Sequence, residues 1–257
     1  MEAYIDDMVV KSKHVEEYLA NLGEIFSVLR KHKLRMNASK CSFGVSSSKF
    51  LGYMITHRGI KVNSDQIKAI NNLHHPRNPK EVQRLTGLET MLNRFIYWFT
   101  DKCHSFFQLL HKWKDFQWTE ESVTAFEDLK QYLSNPPILS RPDKKEVSYA
   151  YLVDTNYIVN FVLVRKKDGI QRPIYYVSKS LQEVETRYLP LEKKVMAIVH
   201  AIRKIPHYFQ AHTVVVLTQF PLQALLRKSN YTGRISKWGT KLGAYDVKYM
   251  PRTVVKG

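Results

Sequence analysis

The chain has 257 residues, 44% of them apolar, which suits two small domains or one with an appendage and excludes a disordered tail. Lys and Arg number 40 against 23 Asp and Glu, a net charge of +17, and a domain this basic is matched to a polyanion, nucleic acid first, with a solvated basic surface as the alternative. No apolar run approaches the roughly 18 residues of a membrane span, so no membrane partner is expected.

The N-terminus, MEAYIDDMVV, lacks the basic-then-apolar order of a signal peptide. Cys41 and Cys103 make neither a metal-ligand spacing nor a disulfide framework, so a reducing compartment inside the cell, cytoplasm or nucleus, is expected. Residues 3–11 read as two short strands joined by a turn at Asp6-Asp7. Between Lys13 and Lys33 the apolar positions Val15, Leu19, Leu22, Ile25, Phe26 and Leu29 have helical spacing. Phe43 to Ile60 mixes strand formers with Gly44, Gly52 and Gly59, which predicts short strands and turns, and a brief helix follows Ser64. At Asn78-Pro79-Lys80-Glu81 a cap, a first-turn proline and a glutamate three after the cap predict a helix start, with an apolar stripe running on through Leu92, Phe95 and Ile96 to Phe99. The next helix begins after Thr119, with Val123, Phe126, Leu129 and Leu133 on one face, and stops before Asn135. Residues 135–146 carry three prolines and no periodicity, which reads as a linker. Beyond it come strands at 147–154, 157–165 and 173–178, a helix at about 190–204, a strand at 213–218, a short helix at 220–228 and a strand at 245–250, the pattern of an α/β domain with a mixed sheet.

Tyr4-Ile5-Asp6-Asp7 sets two carboxylates side by side between apolar strands, an arrangement that favours a bound cation. Nucleotide transfer uses such a site to hold Mg²⁺ on a triphosphate. Asp is also a common turn residue, so the four residues alone leave chance as an alternative. The rest of the chain is informative. YIDDMVVKS (4–12), LRMNASKCSFG (34–44), FLGYMITHRGIKVNSDQI (50–67), KEVQRLTGLETMLNRFI (80–96), DFQWTEESVTAFEDLKQYLSNPPILSRP (115–142) and RPIYYVSKSLQEVETRYLPLEK (172–193) together resemble the reverse transcriptases of plant gypsy-type retrotransposons, in order and over nearly the whole chain.

The resemblance implies an α+β and α/β chain: the C-terminal part of a reverse transcriptase palm at 1–75, a helical thumb and connecting helices at 76–134, a linker at 135–146, and an RNase H-like domain with a mixed five-stranded sheet at 147–257. It implies that Asp6 and Asp7 are the metal-binding pair of the polymerase, with Mg²⁺ or Mn²⁺ as cofactor, and that Lys40 lies near the incoming triphosphate. Phe50, Leu51, Gly52 and Tyr53 match the primer grip, with a packed edge hairpin as the plainer reading, and Gly87 and Asn93 match thumb positions on the nucleic acid. The partners implied are an RNA–DNA hybrid or template–primer duplex and the remainder of a polyprotein.

The same resemblance implies an incomplete set of acids. Only three residues precede Tyr4, whereas the family's third polymerase carboxylate comes from an earlier strand, so no polymerase activity is expected from this chain alone. In the RNase H-like part, Glu192 matches the family's metal-binding helix glutamate. The first catalytic aspartate falls at Val153, with Asp154 one position later on the other strand face, and a one-residue slip would make Asp154 the match. Asn156 fills a position often held by another acid, the third acid's place is Gln219, and the fourth lies past residue 257. Two functional expectations follow: a reverse transcriptase with RNase H by descent, or a connection module that binds an RNA–DNA duplex without chemistry.

Overall fold

A computed structural model describes residues 2–4, 7–12, 14–56, 58–96, 109, 117–227 and 233–252. The chain divides into two compact units, Met1–Asn63 and Ser64–Gly257. The expected segments 76–134, 135–146 and 147–257 thus lie together in the second, along with residues 64–75.

The first unit opens on an antiparallel hairpin, β1 (Glu2–Tyr4) and β2 (Asp7–Val9), with Tyr4 opposite Asp7 and Glu2 opposite Val9. Helix α1 (Val15–Lys31) follows the predicted stripe. Glu16 and Glu17 in its first turn and Arg30 and Lys31 in its last complement the helix dipole. It ends with Lys33 at φ +56° and Leu34 N donating to Leu29 O at 2.9 Å, the wrap that satisfies terminal carbonyls. A single 3₁₀ turn, Ala38–Lys40, starts where the Asn37 side chain accepts from Ser39 N. The loop after it returns to α1 through an edge-on Phe26–Phe43 contact at 6.3 Å. A three-stranded antiparallel meander closes the unit: β3 (Ser47–Phe50), β4 (Tyr53–Thr56) and β5 (Gly59–Val62).

The second unit begins with three helices, α2 (Ser64–Asn71), α3 (Pro79–Leu92) and α4 (Glu120–Ser134). The start of α3 is the one its sequence writes: the Asn78 side chain accepts from Glu81 N, Pro79 stands in the first turn, and Glu81 Oε1 accepts from Asn78 Nδ2 at 2.9 Å. Its end differs from the expectation of a stripe to Phe99. The helix stops at Leu92, and Phe95 and Ile96 stay fully buried in a following turn, with Phe95 N donating to Leu92 O. Apolar burial persists where the helical bonds do not, and Phe99 itself lies outside the described residues. Thr119 caps α4, whose inner face carries Phe126, Leu129 and Leu133. Trp118 packs edge-on against Phe126 at 6.1 Å, as a packed helix start would.

A five-stranded mixed sheet forms the rest, in the order β10-β9-β6-β7-β8, from β6 (Ser148–Asp154), β7 (Ile158–Lys167), β8 (Ile170–Ser180), β9 (Val214–Leu217) and β10 (Val247–Met250). β6, β7 and β8 pair antiparallel, and β9 is parallel to both β6 and β10. Between β8 and β9 run α5 (Glu183–Thr186), α6 (Pro190–Lys204) and α7 (Pro206–Ala211), and between β9 and β10 run α8 (Leu222–Arg227) and α9 (Arg234–Gly243). Helix α6 lies on one face of the sheet, burying Val195, Ile198, Val199 and Ile202 against Ala150, Leu152, Phe161 and Leu163.

Residues 135–146 have little regular structure but are held to the sheet. Ser140 N donates to Pro173 O at 2.7 Å on edge strand β8. Arg165 of β7 donates through Nε to Glu146 Oε1 at 3.1 Å, through Nη2 to Asp143 Oδ2 at 2.6 Å, and through Nη1 to the Arg141 carbonyl. The same guanidinium, by hydrogen bond and charge, holds the Asp143 carboxyl below its usual range. Among the described residues no helix is long and apolar enough to cross a membrane.

Candidate nucleic-acid interface

In the first unit the aspartate pair is described only in part. Asp6 lies outside the described residues, and the Tyr4–Asp7 pairing makes Asp7 the first residue of β2 rather than part of the expected turn. Lys40 ends the 3₁₀ turn on the surface. Phe50, Leu51, Gly52 and Tyr53 form the β3–β4 hairpin: Phe50 pairs with Tyr53, and the two residues between have φ of +50° and +79°. Positive φ at both central positions is what a two-residue hairpin turn with the strands' own twist requires, and glycine takes it without steric penalty. Leu51 stands at the tip, 43% exposed.

Gly87 and Asn93 belong to the second unit. Gly87 is on the exposed side of α3, and a Cβ built there would meet nothing within 4 Å. Asn93 is the C-cap of α3 and half-buried.

The RNase H-like positions gather where β6 and β9 end and α6 begins. Strand alternation puts Ala150, Leu152 and Asp154 on the α6 side, and Asp154 Oδ1 forms a close ion pair with Lys194 Nζ of that helix. The Lys194 ammonium also lies 4.8 Å from the centroid of the Phe220 ring. Lys193, buried beside it, donates to the carbonyls of Thr155 and Asn156 at 3.5 and 3.3 Å. Glu192 is engaged differently. Its Oε2 accepts from Leu189 N at 3.0 Å, which caps α6, and its Oε1 lies 3.6 Å from Arg234 Nη1. Arg234 is itself stacked over the Tyr188 ring at 3.8 Å. Glu192 is thus paired with Arg234, and Asp154 with Lys194. Each carboxylate therefore has its own protein cation.

Gln219 and Lys194 line one cleft of about 760 Å³ with Tyr151, Gln171, Phe220 and Arg252. Thr218 Oγ1 accepts from Phe220 N at 3.0 Å and sets the turn that carries Gln219. The Arg252 guanidinium lies 5.5 Å from the Tyr151 ring centroid, and Gln171 donates to the Tyr151 hydroxyl at 2.6 Å. The residues present do not fit a two-metal nuclease centre. Such a centre needs several unneutralised carboxylates converging on one point, whereas Asp154 and Glu192 are each paired with a protein cation and residue 219 is neutral. Among the described residues no group of three or more His, Cys, Asp or Glu side chains could hold a metal. Lys194, Arg234 and Arg252 were not singled out from sequence. Nothing in a chain with 40 Lys and Arg residues distinguishes them, although Lys194 follows Glu192 by two.

Residues 1–55 match the family described as reverse transcriptase (RNA-dependent DNA polymerase), and residues 118–216 match the RNase H-like domain found in reverse transcriptase. The chain is 28% identical over 256 residues to the retrovirus-related Pol polyprotein from transposon opus of Drosophila melanogaster, covering 95% of this chain and 26% of that one. It is 27% identical over 234 residues to the transposon Tf2-3 polyprotein of Schizosaccharomyces pombe, covering 91% of this chain and 17% of that one. The chain thus spans about a quarter or less of these relatives. Among solved structures it resembles the foamy viral protease-reverse transcriptase in complex with an RNA/DNA hybrid, with a TM-score of 0.81 and 21% identity over 96% of this chain and 34% of that one. The same viral protein in complex with dsDNA gives a TM-score of 0.78 at 21% identity, over 96% and 53%. At these identities the likeness is one of fold.

Proposed function

We infer, for a chain that carries the reverse transcriptase and RNase H-like segments of a retrotransposon polyprotein, that its RNase H-like part holds a nucleic-acid duplex without hydrolysing it. The observation that carries this reading is the engagement of Asp154 by Lys194 and of Glu192 by Arg234, with Gln219 at the third acid's position. A carboxylate already neutralised by a fixed ammonium or guanidinium group is a poor ligand for a hard dication. The net charge of +17 supplies the attraction for a phosphate backbone, which is independent of sequence. The foamy viral protein that shares this fold is described in complex with dsDNA and with an RNA/DNA hybrid. By that analogy, Lys40, the Phe50–Tyr53 hairpin, Gly87 and Asn93 would touch a template–primer, and Asp6 and Asp7 would serve Mg²⁺- or Mn²⁺-dependent nucleotide transfer in the parent polyprotein. The motif pattern favours a plant gypsy-type parent, and the sparse cysteines favour a reducing intracellular compartment.

The test is fluorescence anisotropy of a labelled RNA–DNA hybrid with the 257-residue chain in EDTA, over a salt series. The expected result is tight binding at low salt that weakens linearly in log–log form, by about 0.9 per phosphate contact. Absence of binding, or binding insensitive to salt, would refute the reading.

A further inference from the structure

The positive charge is unevenly placed along the chain. Residues 193–257 hold 12 of the 40 Lys and Arg against one acid, Asp246, and so carry +11 of the net +17. Helix α9 is the core of that stretch. Among the described helices of eight residues or more, it is the only one without an acidic residue. Its two faces are distinct. Ile235 and Leu242 are buried and Trp238 packs against the core, whereas Arg234, Lys237 and Lys241 are exposed. Spacings of three and four residues put these three cations on one side of the helix, about 4.5 and 6 Å apart along its axis. The helix is firmly seated. A Cβ at Gly239 would lie 3.3 Å from the Leu226 carbonyl oxygen, so α9 runs close against the end of α8. At its start, Arg234 is held over the Tyr188 ring and beside Glu192 of α6.

This pattern works against the helix itself. Arg234 in the first turn opposes the helix dipole, and no acid in that turn offsets it. Lys237 and Lys241, four apart, repel each other. Arg165, Lys179 and Lys194 each meet a carboxylate, whereas neither Lys237 nor Lys241 has an ion-pair partner among the described residues. Helix stability alone would favour a glutamate at 237. Residues that break a local rule with no compensating contact inside the fold point to a partner outside it. A line of exposed cations with no acid among them is complementary to a row of phosphates.

We propose that the exposed face of α9 is where the RNase H-like part holds nucleic acid, with Lys237 and Lys241 on the phosphates of one strand and Arg234 fixing the start of the helix beside Glu192. The proposal rests on the duplex-holding reading and assigns its grip to named residues.

The experiment is anisotropy of the labelled RNA–DNA hybrid over a salt series with the full chain, comparing Lys237→Gln/Lys241→Gln with Lys144→Gln/Lys145→Gln, an exposed pair of equal charge. Loss of two phosphate contacts should lower the log–log salt slope by about 1.8 in the α9 variant. The 144/145 variant should keep the slope of the unaltered chain. Lys237→Arg/Lys241→Arg, which retains the charge, should bind as the unaltered chain does. An unchanged slope in Lys237→Gln/Lys241→Gln, an equal loss in both glutamine variants, or a loss in the arginine variant would overturn the proposal and leave the duplex-holding reading in place. Absence of hybrid binding by the unaltered chain would instead sink that reading, and the proposal with it. Poly-glutamate of matched charge should compete far more weakly than unlabelled hybrid. Equal competition would make α9 a surface for an acidic protein and would overturn the proposal.

Discussion

Replacing glycine by alanine at two positions should shift stability in opposite directions, because the backbone differs while the chemistry is the same. Gly52 has φ +79° in the β3–β4 turn. An L-residue in that left-handed region loses about 1–2 kcal/mol to the clash of Cβ with the backbone. Gly87 lies inside α3, where a Cβ would meet nothing within 4 Å. There alanine should add about 0.5–1 kcal/mol by reducing the freedom of the unfolded chain. The two variants should therefore separate by roughly 2 kcal/mol. Urea denaturation followed by far-UV circular dichroism reads both, as a lower midpoint for Gly52→Ala and a higher one for Gly87→Ala. Duplex anisotropy then adds a functional axis. If the bare surface of α3 at Gly87 admits a phosphate backbone, Gly87→Ala will bind the hybrid more weakly although it is more stable. Shifts of the same sign would refute the conformational argument, and unchanged affinity for Gly87→Ala would refute the role of Gly87 in contacting the duplex.

Acid should weaken the fold partly through His200. Burial, with Lys179, Lys204 and Arg203 adding to it, lowers its pKa from 6.5 to about 4. The unfolded chain takes up that proton before the folded one does, so stability is intact above pH 6.5 and falls as pH drops toward 4. His200→Gln should flatten that part of a melting-temperature profile, and an unchanged slope would contradict the assignment. Arg165→Met should loosen the segment it ties down at Arg141, Asp143 and Glu146. Limited proteolysis should then cut within residues 141–146 faster than in the parent chain, and equal rates would mean that the prolines and the Ser140–Pro173 bond suffice.

What the sequence made legible was local. The Asn78-Pro79-Glu81 start of α3, the Thr119 cap of α4, the Leu51-Gly52 turn and the succession of strands and helices after residue 147 all depend on residues near one another in the chain. The end of α3 was not legible, because Phe95 and Ile96 keep the apolar spacing after the helical bonds have stopped. Asp7 entered a strand rather than a turn because its pairing partner is Tyr4, a register that adjacent carboxylates do not announce. Helix α9 went unread although Ile235, Trp238 and Leu242 repeat at helical intervals, since basic residues and two glycines interrupt the signal. The site was legible as a list of acids and no further. That Asp154 would meet Lys194 and Glu192 would meet Arg234 depends on contacts across 40 and 42 positions, between side chains common throughout this basic chain.

The central claim is that the RNase H-like part grips a duplex without cutting it, and cleavage of an end-labelled RNA–DNA hybrid in Mg²⁺ and in Mn²⁺ tests it most directly, with Glu192→Gln as control. The account predicts intact RNA under conditions where anisotropy shows the hybrid bound. Metal-dependent cleavage that disappears in Glu192→Gln would contradict it, and would mean that the Lys194–Asp154 pair opens to admit a metal.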